Sequence, residues 1–125
     1  MKEQRPINLN LRTIHFPLTA VVSILHRISG VVIFIGISVL LWMFDLSISS
    51  PEGFDKAVFM MNKNIFKIII WGVGSSFIYH IISGMRHILI DCALLQTTIT
   101  IGRISAYIVC LLTIVLSIFI GVIIW

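Results

Sequence analysis

Charge is what this chain has least of. Lys, Arg, Asp and Glu make up 11% of its 125 residues, 58% are hydrophobic, and the mean hydropathy is +1.09. Soluble domains carry about 25% charged and about 45–50% apolar residues, so the chain reads as a membrane protein. Acidic residues number five, and none lies in the middle of a long apolar run. That speaks against a small multidrug or ion transporter, a class that uses an intramembrane carboxylate. There are two cysteines, Cys92 near the end of one apolar run and Cys110 inside another, and such placement does not suggest a structural disulfide. No Cys-x-x-Cys-His run is present, which excludes the usual covalent attachment of a c-type haem. Internal repeats are also missing.

What the chain has instead is three apolar stretches: residues 28–44 without a charge, 68–85 with only His80 as a group that could carry one near neutral pH, and 104–125 without a charge. Each is long enough to span a bilayer. The first extends backwards through Thr19 to Arg27, because a long cation near a helix end can snorkel to the interface. The expected fold is therefore all-α, with three transmembrane helices over about 17–45, 65–93 and 104–125 in a single membrane domain. No length remains for a soluble catalytic domain.

Residues 1–16 are polar, broken by Pro6 and bounded by Pro17, and are expected to lie along the cytoplasmic surface. They hold no continuous apolar core and so are not a cleavable signal peptide. In the first loop, Ser50-Pro51-Glu52 is a helix-start pattern. Phe54, Ala57, Val58, Met61 and Ile65 then recur at helical spacing, which predicts a short interfacial helix over about 51–63, a connector rather than a binding element. The second loop, 94–102, contains Gln96, Thr97 and Thr98. In the third helix Ser105, Thr113, Ser117 and Gly121 recur at intervals near four, a pattern for close helix packing.

Orientation follows from the basic residues. Lys2, Arg5, Arg12, Arg27, Arg86 and Arg103 fall on one side, and Lys56, Lys63 and Lys67 on the other. This predicts a cytoplasmic N-terminus and a C-terminus outside. The same distribution around membrane ends, instead of one basic face, argues against a nucleic-acid partner.

His80 needs a reason. It lies roughly 20 Å along the helix from Lys67 and roughly 16 Å from Asp91, near the centre of a hydrocarbon core about 30 Å thick. Imidazole is the commonest metal ligand, and an ionisable group at that depth is a functional-site hypothesis. With His80 at zero, Ser76 falls at about −40°, Gly84 at about +40°, His87 at about −20° and Asp91 at about +20° around the helix. Gly84 and Ser76 would let a flat group approach. The plainer alternative is a histidine that hydrogen-bonds to a neighbouring helix, worth about 1–2 kcal/mol in model peptides. A bis-histidine haem needs a second imidazole. His15 and His26 are expected near the cytoplasmic interface and His87 is on the same helix, so if such a haem is bound the second ligand comes from another polypeptide.

The first helix opens with SILHRISG, Ser23 to Gly30. Ser23 and Arg27 are one turn apart on one face, with His26 adjacent. A hydroxyl and a guanidinium near the membrane surface suit a carbonyl-bearing lipophile such as a quinone, or haem propionates. Alone, Arg27 would be an ordinary positive-inside anchor. Arg86, His87 and Asp91 on the same membrane side favour a site.

With RPINLNL (Arg5 to Leu11), SILHRISG, SSPEGF (Ser49 to Phe54) and YHIISGMRHILID (Tyr79 to Asp91) in this order, the chain resembles, over essentially its full length, the cytochrome b anchor subunits of bacterial succinate dehydrogenases. The resemblance implies half of a two-chain helical anchor domain in the inner membrane, multi-pass with a periplasmic C-terminus. It implies haem b shared with a second small anchor subunit, and a flavoprotein and an iron–sulfur subunit docked on the cytoplasmic side, with membrane lipid around it. His80 corresponds to the axial haem ligand, with the second ligand from the partner anchor. Ser23 and Arg27, with Phe16 and Ile24 as apolar neighbours, match the ubiquinone site. His26, Arg27 and His87 match the neighbourhood of the haem propionates. The chain itself would carry no succinate-oxidising residue. An anchor of a quinol:fumarate reductase and a cofactor-free structural anchor are the alternatives.

Overall fold

The computed structural model describes residues 16–95 and 98–125. The RPINLNL run, His15, Gln96 and Thr97 lie outside the described residues. Four helices, and no strand, are present among those described: α1 Leu18–Ser49, α2 Pro51–Met61, α3 Asn64–Asp91 and α4 Ile99–Ile124. α1, α3 and α4 are each long and apolar enough to cross a membrane, and α2 is the short helix of the first loop.

The helix ends follow from local chemistry. α1 continues four residues past the expected Asp45, because the next breaker is Pro51, which drives Ser50 into an extended conformation at φ −166°. Ser50 then caps α2: its Oγ accepts the Gly53 N–H at 2.9 Å, with Pro51 in the first turn. Gly53 lies directly against the Leu46 carbonyl, so α2 folds back onto the end of α1 where a side chain would not fit. α3 ends through Ala93 at φ 55°. Ala93 N–H bonds Ile90 O and Leu94 N–H bonds Leu89 O, a left-handed cap that closes the helix two residues before the expected 93. α4 begins at Ile99, five residues before the expected 104, because the Thr98 hydroxyl accepts from Ile101 N–H and the helix tolerates Gly102 and Arg103.

α3 runs antiparallel to α1 and α4 and packs against both. α1 presents a single line to the bundle: Val22, Ser29, Gly36 and Met43, spaced by seven. That spacing keeps one narrow seam facing α3 and α4 along the helix. Gly36 admits Val73 so closely that a Cβ would lie 2.6 Å from Val73 Cγ2. Val22 packs with Ala106 and Val109 of α4, joined by Leu18, Tyr79, Ile82 and Cys110. Most large apolar side chains, including Phe34, Leu41, Ile88, Ile114 and Phe119, point outward. In lipid this is the expected arrangement, since hydrocarbon is as apolar as the side chains and close packing and polar contacts hold the helices together.

The small residues of α4 serve such contacts. The Trp71 indole N–H donates to the Ser117 carbonyl at 2.9 Å, and the ring covers Gly121, whose Cβ would lie 3.3 Å from Trp71 Nε1. Trp71→Phe keeps an aromatic ring but removes the donor and the five-membered ring that lies against Gly121. It is expected to lower stability in detergent by at least about 0.6 kcal/mol, the average for hydrogen bonds between membrane helices. An unchanged thermal midpoint would show that the indole bond contributes nothing.

Candidate functional site

Three imidazoles meet between α1 and α3. The His26 ring stacks on His80 with centroids 4.1 Å apart and planes 13° from parallel, and its other neighbour is His87 at 5.2 Å and 51°. Two glycines make room. Gly30 of α1 receives His80, whose Cε1 lies 3.2 Å from where a Cβ would be, and Gly84 of α3 receives His26, whose Nε2 lies 3.3 Å from the equivalent point. The sequence carries the reason in duplicate: HRISG at 26–30 and HIISG at 80–84 share the pattern His-x-Ile-Ser-Gly. Glycine four residues after histidine is one turn further on the same face. On antiparallel helices each histidine therefore lies over the other's glycine.

The hydrogen bonds fix how His80 is held. The Ser29 hydroxyl donates to the His26 carbonyl at 2.7 Å. Its single hydrogen is thus used, so its contact with His80 Nδ1 at 3.0 Å has Ser29 Oγ as acceptor. The His26 carbonyl, 3.2 Å from the same nitrogen, can only accept. In a neutral imidazole both contacts place the proton on Nδ1 and leave the lone pair on Nε2. A stacked neighbour covers the face of the ring, whereas a ligand bond forms in its plane, so His26 does not obstruct Nε2. Tyr79 anchors the same stretch, its hydroxyl donating to the Val22 carbonyl at 2.8 Å.

This geometry departs from the sequence expectation in three ways. His26 lies at the level of His80 and not at a separate interface, because the antiparallel register brings each histidine over the glycine of the other helix. The space over Gly84 holds His26 Nε2 rather than lying open to a flat group. Arg86 leaves the polar cluster: it is 7% exposed, and its Nε donates to Ser105 Oγ at 2.9 Å and its Nη2 to the Gly102 carbonyl at 3.4 Å, both on α4. Its position about 240° around α3 from His80 explains why. Asp91 is exposed.

Of the remaining predicted residues, Ser23 is half-buried and Arg27 exposed on the same face of α1, one turn apart. Ile24 and Phe16 are exposed apolar neighbours at that end. Ser76 shares a crevice of about 250 Å³ with Leu25, Ile28, Ser29 and Tyr79. Ser29, Gly30, Tyr79 and Arg86 carry contacts that residue-by-residue sequence reasoning missed; the repeated His-x-Ile-Ser-Gly pattern was the available signal for the first two. Among the described residues no group of three or more His, Cys, Asp or Glu is placed to hold a metal ion. His26 and His80, stacked face to face, cannot clamp a metal between their nitrogens.

Comparison with known proteins bears on the same helices. The family described as succinate dehydrogenase/fumarate reductase transmembrane subunit matches residues 1–120. The chain belongs to this family. Like it, the protein is a multi-pass membrane protein with three apolar spanning helices. A succinate dehydrogenase cytochrome b556 subunit of Coxiella burnetii is 32% identical over 126 residues, covering 100% of both chains. Subunits of the same name from Paracoccus denitrificans, at 31% over 70% of this chain and 67% of that one, and Rickettsia felis, at 32% over 70% and 68%, are also similar.

Gly84→Val would force the side chain into the space of His26. The expected result is a loss of about 1–3 kcal/mol, the usual effect of overpacking, read as a lower unfolding midpoint in detergent. A midpoint equal to wild type would mean that His26 does not occupy the notch.

Proposed function

We propose that this chain is the haem b-binding membrane anchor subunit of a succinate:ubiquinone oxidoreductase. The observation that carries the proposal is the state of His80, a histidine within an apolar helix with Nδ1 committed to Ser29 and the His26 carbonyl and Nε2 left to bind. Ligating histidines characteristically donate their other N–H to a protein acceptor, which fixes the ring and raises its basicity. The donor set therefore suits a histidine that would hold the iron of a b-type haem through Nε2. When bound, haem supplies a one-electron redox centre whose potential depends on its axial ligands and their hydrogen bonds. His80 would be one ligand, and the second would come from a partner anchor chain. His26, Arg27 and His87 would lie toward the propionates, with Arg27 offering a charge-assisted donor. All the relatives named above are cytochrome b556 subunits of succinate dehydrogenases, which favours succinate oxidation over fumarate reduction.

The ubiquinone site is proposed at the start of α1. Ser23 would donate a hydrogen bond to a quinone carbonyl, and Arg27 would stabilise the negative charge that develops on oxygen during reduction. Phe16 and Ile24 supply apolar surface for the ring. Two electrons arrive from a docked iron–sulfur subunit, itself fed by a flavoprotein, and two protons from the aqueous side complete the quinol. This assigns the N-terminus to the cytoplasm and the C-terminus to the periplasm of a bacterial inner membrane, in agreement with the distribution of basic residues.

Three variants of the assembled complex test this. His80→Leu is expected to abolish the low-spin haem spectrum or lose the haem; an unchanged spectrum with stoichiometric haem would remove the ligand assignment. In Ser29→Ala the imidazole N–H loses an acceptor, the ligand becomes less basic, and the haem midpoint potential should shift upward, with Ser29→Thr restoring it. A wild-type potential in Ser29→Ala would refute the role of the hydroxyl. Ser23→Ala should lower quinone reduction by about tenfold or more, the effect of losing a charge-stabilising donor, while succinate oxidation by an artificial acceptor persists. Equal loss of both would indicate an assembly defect instead.

A further inference from the structure

Arg86 takes no part in the function proposed above, yet it is the most deeply buried charged residue among those described. A guanidinium has five N–H donors. Its partners among the described residues, Ser105 Oγ and the Gly102 carbonyl, are both neutral, and Ser105 itself donates to the Gly102 carbonyl at 3.0 Å. A cation removed from water with neutral partners alone is unfavourable unless an anion completes its surroundings.

The same side chain lines a cavity of about 740 Å³ at the end of the bundle where α1 and α4 begin and α3 ends. Arg103, Thr19 and Thr98 also line it. The first turn of α4 opens there too, and its amides and positive dipole end favour an anion. Apart from Ser105, the other described residues of the wall are mainly apolar, with Leu18, Ile90, Leu95, Ile99 and Tyr107. Two arginines and a helix N-terminus face the cavity, and among the described residues that line it none is acidic. The combination of a cationic floor, apolar walls and a position at the end of three spanning helices matches a molecule with an anionic head and hydrocarbon tails.

We propose that this cavity is a binding site for the phosphodiester headgroup of a membrane phospholipid, with Arg86 as the buried anion partner, Arg103 at its rim and the acyl chains along Leu18, Ile90 and Tyr107. The site is distinct from the imidazole row, since Arg86 and His80 are on different sides of α3.

The test uses the whole complex, extracted in mild detergent. Native mass spectrometry at collision energies that strip annular lipid should find phospholipid retained by wild type and by Arg86→Lys, with occupancy at least about tenfold lower in Arg86→Gln, the loss of a charge-assisted contact. Equal retention in Arg86→Gln, or no retained lipid in wild type, would overturn the proposal. Inorganic phosphate added in excess should not displace the lipid; displacement would identify a free-anion site instead. Should Arg86→Gln release a partner subunit with no change in lipid, the occupant is a protein carboxylate and the proposal fails. To cover failure of that variant to assemble, photoactivatable phosphatidylglycerol is also added to the wild-type complex. Crosslinks to residues 17–19, 86–90 or 98–107 support the site, and crosslinks confined to other regions of the chain refute it.

Discussion

The reciprocal seating of His26 over Gly84 and His80 over Gly30 is the contact on which the rest of the arrangement depends. A Cβ at Gly30 or Gly84 would stand 3.2 or 3.3 Å from the facing ring, so each glycine lets an imidazole come close without displacement. With one such pair on each of two antiparallel helices, a single register satisfies both. That register puts the two imidazoles at one depth and lets Ser29 hold His80 Nδ1. It also aligns Val22, Ser29, Gly36 and Met43 as one seam along α1. A slip by one residue would rotate each ring by about 100° away from its notch.

α3 is the hub of the polar contacts. Tyr79 and His80 reach α1, while Trp71 and Arg86 reach α4. In a bilayer, where burying apolar surface between helices brings little advantage, such bonds and the closeness permitted by small residues decide how helices associate. The consequence is a helix with two working sides. One carries the imidazoles and the proposed redox role, and the other holds a buried guanidinium against the start of α4. Their angular separation keeps a cation away from the proposed haem ligand while both remain near the same end of the bundle.

Much of this was legible in the residues. Three apolar runs set the number of spans because every backbone polar group in lipid must bond within its own helix. The position of His80 in such a run marked it as a candidate, and SILHRISG marked Ser23 and Arg27. Helix ends were less legible. Asp45 looks like a boundary by charge, but a helix stops where its backbone is diverted, which happens at Ser50 before Pro51. The start of α4 was hidden because Arg103 interrupts the apolar run without interrupting the helix.

By itself, then, the order of residues determined the membrane class, the spans, the candidate ligand and the family resemblance, all of which depend on composition and local spacing along one chain. Tertiary structure alone decided which surface each polar residue meets. Gly84 could have admitted a planar cofactor, but it admits His26; Arg86 could have joined His87, but it turns to Ser105. Spacing along a helix gives the angle at which a side chain leaves, and only the packing of a second helix against it says what stands there.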